Sequence, residues 1–184
     1  MDILIIGGCH EVPGFGLKLN QLYFRKLKKM IPDCKIRLVS QGDKYFRSKV
    51  LVLLSDGSVD VVIYRMRALW IAQGCKSFGI NSKFRVFNFI DYILGFVLNR
   101  KASVFEAEES KINLFIGKCL IVIPPFINNR VIVGGLLKYF IERCRVFPNV
   151  INVEFLKTLD SWHLTKESHE ELANRIYEKI LILQ

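Results

Sequence analysis

The sequence predicts an α/β protein with three layers, in which helices cover both faces of a five-stranded, doubly wound parallel sheet. Five short apolar runs alternate with longer helical patterns along the 184 residues. Runs of Ile, Val and Leu that are apolar on both faces are typical of buried parallel strands. No linker or repeat interrupts the pattern, so we expect residues 1–184 to form a single domain with the strand order 2-1-3-4-5.

Each predicted strand is followed by a helical pattern. The strands are predicted at residues 3–6, 36–39, 59–64, 120–123 and 150–155. Helices are predicted over residues 17–30, 45–54, 83–99 and 129–145, and from Thr165 onward. Thr165 is the expected N-cap of the last helix, whose apolar stripe consists of Leu172, Ile176 and Ile180. His169 is expected on the surface of this helix, and the acidic stretch at residues 106–109 is expected to be irregular.

The apolar stretch at residues 84–98 is the longest in the chain. Arg85, Asn88 and Asp91 interrupt it, and it falls short of the roughly 20 residues that a membrane span requires. We expect a buried helix here, and the alternative is a helix that lies on a membrane surface.

The composition is that of a folded, basic protein. Hydrophobic residues make up 51% and charged residues 24% of the chain, which excludes a disordered chain, and the net charge is +10. A solvated basic surface is one interpretation of this charge. The other is attraction to an anionic partner, such as an acidic polysaccharide, a membrane face or a CoA-type donor. Nucleic acid is not expected, because the basic residues are scattered and no nucleic-acid motif is present.

Five widely spread cysteines indicate a reducing compartment. Their number is odd, no pair has CxxC spacing, and the first residues lack the basic region of a signal peptide. We therefore expect a cytoplasmic protein whose cysteines are free thiols. Four of the five, namely Cys34, Cys75, Cys119 and Cys144, lie in apolar or strand-like contexts and are expected to act as small hydrophobes. No Cys or His pair has metal-ligand spacing, so neither a metal site nor a cofactor is expected.

Residues that could take part in catalysis follow the first predicted strand, where residues 7–14 read GGCHEVPG. Ligands of a doubly wound sheet bind beyond the carboxyl ends of its strands. Cys9 would lie near a helix N-terminus, which favours a thiolate, and His10 could add to this effect. A glycine turn with a half-buried thiol is the simpler interpretation of this motif alone.

A second group of residues that could take part in catalysis lies directly before the last helix. Asp160 and His163 are three residues apart, so the carboxylate can accept a hydrogen bond from one imidazole nitrogen. That bond fixes the tautomer, and the other nitrogen can then act as a general base. The alternative is a turn that only caps the helix.

These segments resemble the motif blocks of the SGNH (GDSL-type) hydrolases. Residues 160–169, DSWHLTKESH, resemble the last block, D-x-x-H-L-(S/T)-x-x-G-H, which supplies the catalytic Asp and His. The turn after the first strand corresponds to the first block. Residues 39–42 (VSQG), 60–63 (DVVI) and 121–125 (IVIPP) correspond to later parts of the pattern, in order and over nearly the whole chain. The resemblance implies the flavodoxin-like SGNH fold and an esterase or acyltransferase that needs no cofactor.

The sequence departs from this pattern in two of its blocks. The usual Asp-Ser of the first block is Gly8-Cys9, so the implied nucleophile is a thiol. The third block lacks its glycine and its asparagine, an oxyanion donor, because residues 64–70 read YRMRALW. The resemblance leaves the N–H groups of Cys9 and Gly42 as oxyanion donors. Arg65 or Arg67 could substitute for the missing asparagine as a cationic donor. Gly8 and His10 are expected at the same oxyanion and substrate-binding site.

Two hypotheses for the function remain. In the first, Cys9, His163 and Asp160 form a catalytic triad that acts on an O-acyl ester, and the resemblance implies carbohydrate esters as family-typical substrates. In the second, the chain is a non-catalytic SGNH-fold protein that binds a glycan or a protein partner. The missing asparagine favours the second hypothesis, and the Asp160–His163 spacing favours the first.

Overall fold

The computed structural model describes residues 1–8, 11–14, 16–78, 85–115, 117–126, 131–154, 156–160 and 163–183. For residues 85 and 131–134 it describes the backbone alone. Cys9 and His10 lie outside the described residues.

Four parallel strands form the sheet, in the order β2-β1-β3-β4. They are β1 (Asp2–Gly7), β2 (Lys35–Ser40), β3 (Val61–Arg65) and β4 (Cys119–Ile123). Every residue of β1 and β3 is buried, as their unbroken apolar runs predict for strands in the middle of a parallel sheet. The predicted α/β fold is confirmed, and so is the predicted order of these four strands.

The fifth strand, predicted at residues 150–155, does not form. Val150 makes a single bridge to Val122, and the segment then leaves the sheet although Ile151 and Val153 are buried. Two side chains take backbone groups that a strand ladder would use. The side-chain oxygen of Asn152 accepts a hydrogen bond from the backbone N–H of Glu154 at 2.9 Å. The backbone carbonyl of Asn152 accepts one from the Arg175 guanidinium at 2.8 Å. Residue 155 lies outside the described residues.

Seven helices surround the sheet in the described ranges. They are α1 (Tyr23–Met30), α2 (Phe46–Ser55), α3 (Ala68–Gly74), α4 (Arg85–Val97), α5 (Arg100–Ile112), α6 (Val131–Arg143) and α7 (Lys166–Leu183). Short 3-10 turns occupy Leu19–Gln21, Asn113–Phe115 and Cys144–Val146. The sequence did not predict α3, and α1 begins only at Tyr23 because Leu22 has an extended backbone.

The core divides into two layers, one on each face of the sheet. Alternate residues of β1 point to opposite faces, so Ile3 and Ile5 contact α1 and α7, whereas Leu4 and Ile6 belong to the layer beneath α2, α3, α5 and α6. The predicted stripe of α7 is fully buried against the sheet. The Thr165 hydroxyl accepts the N–H of Ser168 at 3.2 Å, which confirms Thr165 as the N-cap.

The expectation that residues 106–109 are irregular is wrong. They lie within α5, whose Phe105, Glu108 and Ile112 face inward at helical spacing. Glu108 is buried because the Tyr64 hydroxyl donates to its carboxylate at 2.7 Å and Lys111 pairs with it.

The prediction of a buried helix at residues 84–98 is also wrong. A helix is present as α4, but most of its large apolar side chains are exposed. Within the described part of the chain, no helix combines the length and apolar character needed to cross a bilayer.

Candidate active site

The carboxyl ends of β1, β2 and β3 meet at one edge of the sheet. Gly7 lies opposite Ser40, and Ile6 lies opposite Tyr64. Gln41 fastens these ends together, because its backbone N–H donates to the Gly7 carbonyl at 3.0 Å and its side chain donates to the Arg65 carbonyl at 2.6 Å. The loops that follow the three strands are therefore held side by side, as the doubly wound topology requires.

A cleft of about 590 Å³ opens at this edge. Its lining comes from the ends of β1 and β2 and the loops after β1, β2 and β3, namely Ile5, Gly7, Gly8, Glu11, Val12, Leu38, Val39, Ser40, Gly42, Asp43 and Arg67. Three predicted site residues, Gly8, Gly42 and Arg67, are therefore together in one cleft.

Gly8 and Glu11 bind each other directly after β1. The Glu11 N–H donates to the Gly8 carbonyl at 3.1 Å, and the Gly8 N–H donates to the Glu11 carboxylate. A side chain at Gly7 would overlap this carboxylate, which explains why glycine stands there. Gly8 and Glu11, which lie on either side of Cys9 and His10 in the sequence, are thus held to each other by two hydrogen bonds.

Glu11 is the centre of a buried polar network. The Arg65 guanidinium donates to both carboxylate oxygens, at 2.9 Å each, and the Tyr23 hydroxyl donates at 2.8 Å. Burial acts to raise the pKa of the Glu11 carboxyl. The charge of Arg65 and the hydrogen bonds from Arg65, Gly8 and Tyr23 outweigh burial and hold that pKa below its ordinary value. Glu11 is therefore an anion paired with a cation inside the protein.

Sequence reasoning missed Glu11 and Tyr23 at this site. A usable signal was present, because Glu11 follows one buried strand and Arg65 ends a second one. Opposite charges beside two central strands of a parallel sheet can pair at the same edge.

The two arginines that were predicted as cationic donors have different surroundings. Arg65 is only 1% exposed, and its guanidinium binds Glu11, so it is part of the support of the site. Arg67 is half-buried and lines the cleft between Gly8 and Gly42. A methyl group on Gly8 would lie 2.9 Å from Arg67 Nε, and one on Gly42 would lie 3.3 Å from Arg67 Nη1. The Arg67 guanidinium also lies over the exposed Trp70 ring, 5.4 Å from its centre.

The N–H groups of Gly8 and Gly42 have acceptors within the protein. Gly8 donates to Glu11, and the Gly42 N–H donates to the Ser40 hydroxyl at 3.2 Å. An oxyanion at Gly42 would have to share or displace this long bond. Arg67 adds N–H donors to the same cleft, and no carboxylate in the described ranges forms a salt bridge with it.

Asp160 and His163 are joined by two hydrogen bonds. Asp160 Oδ2 lies 2.8 Å from His163 Nδ1, and Asp160 Oδ1 accepts the His163 backbone N–H at 2.9 Å. A bridge between Thr158 and Leu164 closes the loop, and the buried Leu164 anchors it. This is the orientation in which a carboxylate fixes an imidazole tautomer for general-base chemistry. Ser161 and Trp162, within the same motif, lie outside the described residues.

His169 is buried, contrary to the surface position expected for it. Its Nδ1 accepts the backbone N–H of Tyr23 at 3.2 Å, and its ring stacks on the Tyr23 ring at a centroid distance of 6.0 Å. Burial is the main cause that lowers the pKa of His169 to about 4, so the imidazole is neutral near pH 7. His169 fixes α7 against α1 and so supports the Glu11 network.

The four cysteines expected to be structural have raised pKa values. Burial raises the pKa of Cys75 and of Cys144 to about 12, and it raises those of Cys34 and Cys119 by less. At neutral pH these thiols are protonated and poorly nucleophilic.

Comparisons with known proteins identify the fold. No family model matches the sequence, and no curated protein matches it. Among solved structures, a lipolytic protein of the G-D-S-L family from Veillonella parvula is similar, with 10% identity, a TM-score of 0.61 and coverage of 96% of both chains. A putative lipolytic protein of the same family from Desulfitobacterium hafniense has 12% identity and a TM-score of 0.53, over 97% of this chain and 98% of that one.

A third similar structure is the psychrotrophic esterase EstA from Pseudoalteromonas sp. It has 13% identity and a TM-score of 0.51, over 99% of this chain and 97% of that one. At such identities the likeness concerns the fold and not the chemistry. The similarity spans nearly the whole of each chain and agrees with the parallel sheet described above. The chain therefore has the SGNH (GDSL-type) hydrolase fold.

Proposed function

We propose that this protein is an esterase or acyltransferase that acts on an O-acyl ester through Cys9, His163 and Asp160. The observation that carries the proposal is the hydrogen-bonded Asp160–His163 pair, which lies before the last helix of an SGNH fold. The described similar structures include lipolytic proteins and an esterase, which supports ester chemistry.

The proposed reaction proceeds through a thioester. His163 takes the proton from the Cys9 thiol, and the sulfur attacks the acyl carbonyl carbon. The tetrahedral intermediate collapses, the bond to the alcohol oxygen breaks, and His163 returns the proton to that oxygen. Water or a sugar hydroxyl then attacks the thioester with His163 as base, and Cys9 regains its proton. Asp160 orients His163 in both steps and stabilises the imidazolium.

Arg67 is the proposed substitute for the missing asparagine. Its guanidinium lies beside Gly8 and Gly42 and can donate hydrogen bonds to a developing oxyanion. Arg65 is not proposed for this role, because Glu11 already binds its guanidinium.

A non-catalytic, ligand-binding protein of the same fold is the second candidate. The observation that favours it is that the N–H of Gly42, one of the two expected oxyanion donors, already has an acceptor in the Ser40 hydroxyl. Such a protein would bind a glycan or a protein partner at the same cleft and would need neither Cys9 nor His163.

Turnover of a short-chain aryl ester distinguishes the two candidates. Cys9→Ala, His163→Ala and Asp160→Asn should each remove most activity, and their effects should be strongly non-additive because a nucleophile without its base is already disabled. Cys9→Ser should keep part of the activity. Cys119→Ala is the matched control, since Cys119 is a half-buried thiol of β4, and it should leave turnover unchanged.

Absence of ester turnover would favour the second candidate. If wild type turns over no ester and transfers no acyl group, and all three variants bind a glycan as wild type does, the non-catalytic candidate is correct.

A further inference from the structure

The polarity of helix α4 is the reverse of that of an ordinary surface helix. The residues that face the protein are Asn88, Asp91, Tyr92 and Gly95, at i, i+3, i+4 and i+7. Three of them are polar or small, and Tyr92 is the one large aromatic residue among them. A helix on the surface of a globular protein normally turns its apolar stripe inward and its polar residues outward. In α4 the apolar residues are on the outside.

Specific contacts fix this orientation. The Asp91 carboxylate accepts the N–H of Phe78 at 2.6 Å, and the Asn88 side chain accepts the Lys76 ammonium at 2.9 Å. A side chain at Gly95 would overlap the Cys75 carbonyl, so the helix lies directly on that backbone. Rotation of α4 to bury its apolar residues would break these contacts.

The outer face of α4 consists of residues 86, 87, 89, 90, 93, 94, 96 and 97, all large and apolar. Their side chains are between 38% and 73% exposed, and Leu98 extends the surface. Single exposed apolar residues are common on proteins, but a contiguous group of this size marks an interaction surface.

Basic residues accompany this surface. Arg100 is exposed and Lys101 is half-buried, and both directly follow the carboxyl-terminal end of α4. Residues 92–105 contain no Asp or Glu, and the net charge of the whole chain is +10. Asp91 is buried beneath α4, so it offers no negative charge to a partner. A second copy would bring a like-charged surface to this face, whereas an anionic lipid surface would complement it.

An apolar pocket of about 250 Å³ adjoins the outer face. Tyr92 and Phe96 of α4 line it together with Cys75, Leu136, Tyr139 and Lys101. The Lys101 ammonium lies 4.7 Å from the Phe96 ring centre and 4.8 Å from that of Tyr139. Aromatic and aliphatic walls with one cation suit an acyl chain that carries an anionic headgroup.

We propose that the outer face of α4 binds the surface of a bilayer that contains anionic phospholipid. The 13 residues of α4 span about 20 Å, too short to cross a bilayer. The helix would lie in the plane of the interface, with its apolar side chains among the upper acyl segments and the basic residues near the phosphates. This binding is independent of the chemistry proposed for Cys9 and requires no catalytic residue.

Vesicle sedimentation tests the proposal with the full chain. Wild type should bind phosphatidylcholine vesicles that contain phosphatidylglycerol about tenfold or more tightly than vesicles of phosphatidylcholine alone, and salt should weaken this binding. The variant Val86→Ser/Ile93→Ser/Val97→Ser should weaken it by about 100-fold, because it removes apolar area from the outer face. The matched control is Val52→Ser/Val146→Ser/Ile182→Ser, whose wild-type residues lie on other elements and are at least as exposed as the three replaced on α4, and it should bind as wild type does.

Three outcomes would overturn the proposal. The first is no binding of wild type to anionic vesicles, and the second is equal loss of binding in the outer-face variant and its control. The third is a concentration-dependent dimer of wild type that the outer-face variant abolishes, which would assign the surface to a second copy. Circular dichroism of each variant confirms that the helices are intact.

Discussion

Arg65 and Arg67 are two residues apart, yet they have opposite surroundings. Arg65 ends a central strand, where burial would be costly for an unpaired cation. Glu11 compensates that cost, because its carboxylate accepts two hydrogen bonds of 2.9 Å from the guanidinium. Arg67 lies beyond the strand end and lines the cleft. The first arginine therefore stabilises Glu11 and its contact with Gly8, and the second is the one proposed to contact a substrate.

The role of Arg67 leads to a kinetic prediction. Arg67→Gln should lower kcat by about 10²–10³, the typical cost of losing an oxyanion donor, with a smaller effect on KM. Arg67→Lys should retain part of kcat because it keeps the positive charge. Steady-state kinetics with an aryl ester provides the measurement.

Arg47→Gln is the matched control, because Arg47 is an exposed arginine of α2 outside the cleft lining. An Arg67→Gln variant with the kcat of wild type would show that the oxyanion is stabilised by other groups.

At the scale of elements, α7 is attached to α1 through a neutral histidine. His169 accepts the Tyr23 N–H, and Tyr23 in turn donates to Glu11. The protonation of one residue of α7 is thus coupled to the packing of two helices and to the turn after β1.

This coupling predicts a pH-dependent stability. Folded His169 binds a proton only below about pH 4, whereas an unfolded histidine binds one below about pH 6.5. Between these values the unfolded chain binds more protons, so the free energy of unfolding should fall by about 3 kcal/mol as pH decreases from 6.5 to 4. Urea unfolding at several pH values measures this, and His169→Gln should remove most of the dependence.

Below the ordinary pKa of glutamate, a second loss should follow in both proteins, because protonation of Glu11 removes its ion pair with Arg65. A variant His169→Gln with the full pH dependence of wild type between pH 6.5 and 4 would contradict this account of α7.

Local patterns predicted β1 to β4 and the stripe of α7, because continuous apolar runs and helical spacing report burial directly. The prediction of the fifth strand was wrong because the Asn152 side chain binds the backbone N–H of Glu154 in place of a neighbouring strand. The apolar pattern of the segment gives no sign of this hydrogen bond. The orientation of α4 could not be predicted either. Its apolar residues outnumber its polar ones, and contacts of Asn88, Asp91 and Gly95 with the preceding segment determine which side faces the protein.

At the scale of the whole molecule, residues from distant parts of the chain converge at one edge of the sheet. The hydrogen bond between Asp160 and His163 could be predicted, because their three-residue spacing is a local feature. The SGNH resemblance could not predict the partnership of Glu11 with Arg65, which are 54 residues apart and meet only after β1 and β3 pair. The same folding step places Arg67 beside Gly8.

The central claim is that Cys9 forms a covalent acyl intermediate. Mass spectrometry of the protein after brief exposure to an activated aryl acetate, followed by acid quench and peptide mapping, tests it most directly. The account predicts one added acetyl group on the peptide that contains Cys9, much slower acetylation in His163→Ala and none in Cys9→Ala. The raised pKa values of Cys34, Cys75, Cys119 and Cys144 predict that these thiols stay unmodified. Acetylation of one of those four instead, or no adduct on wild type, would contradict the account.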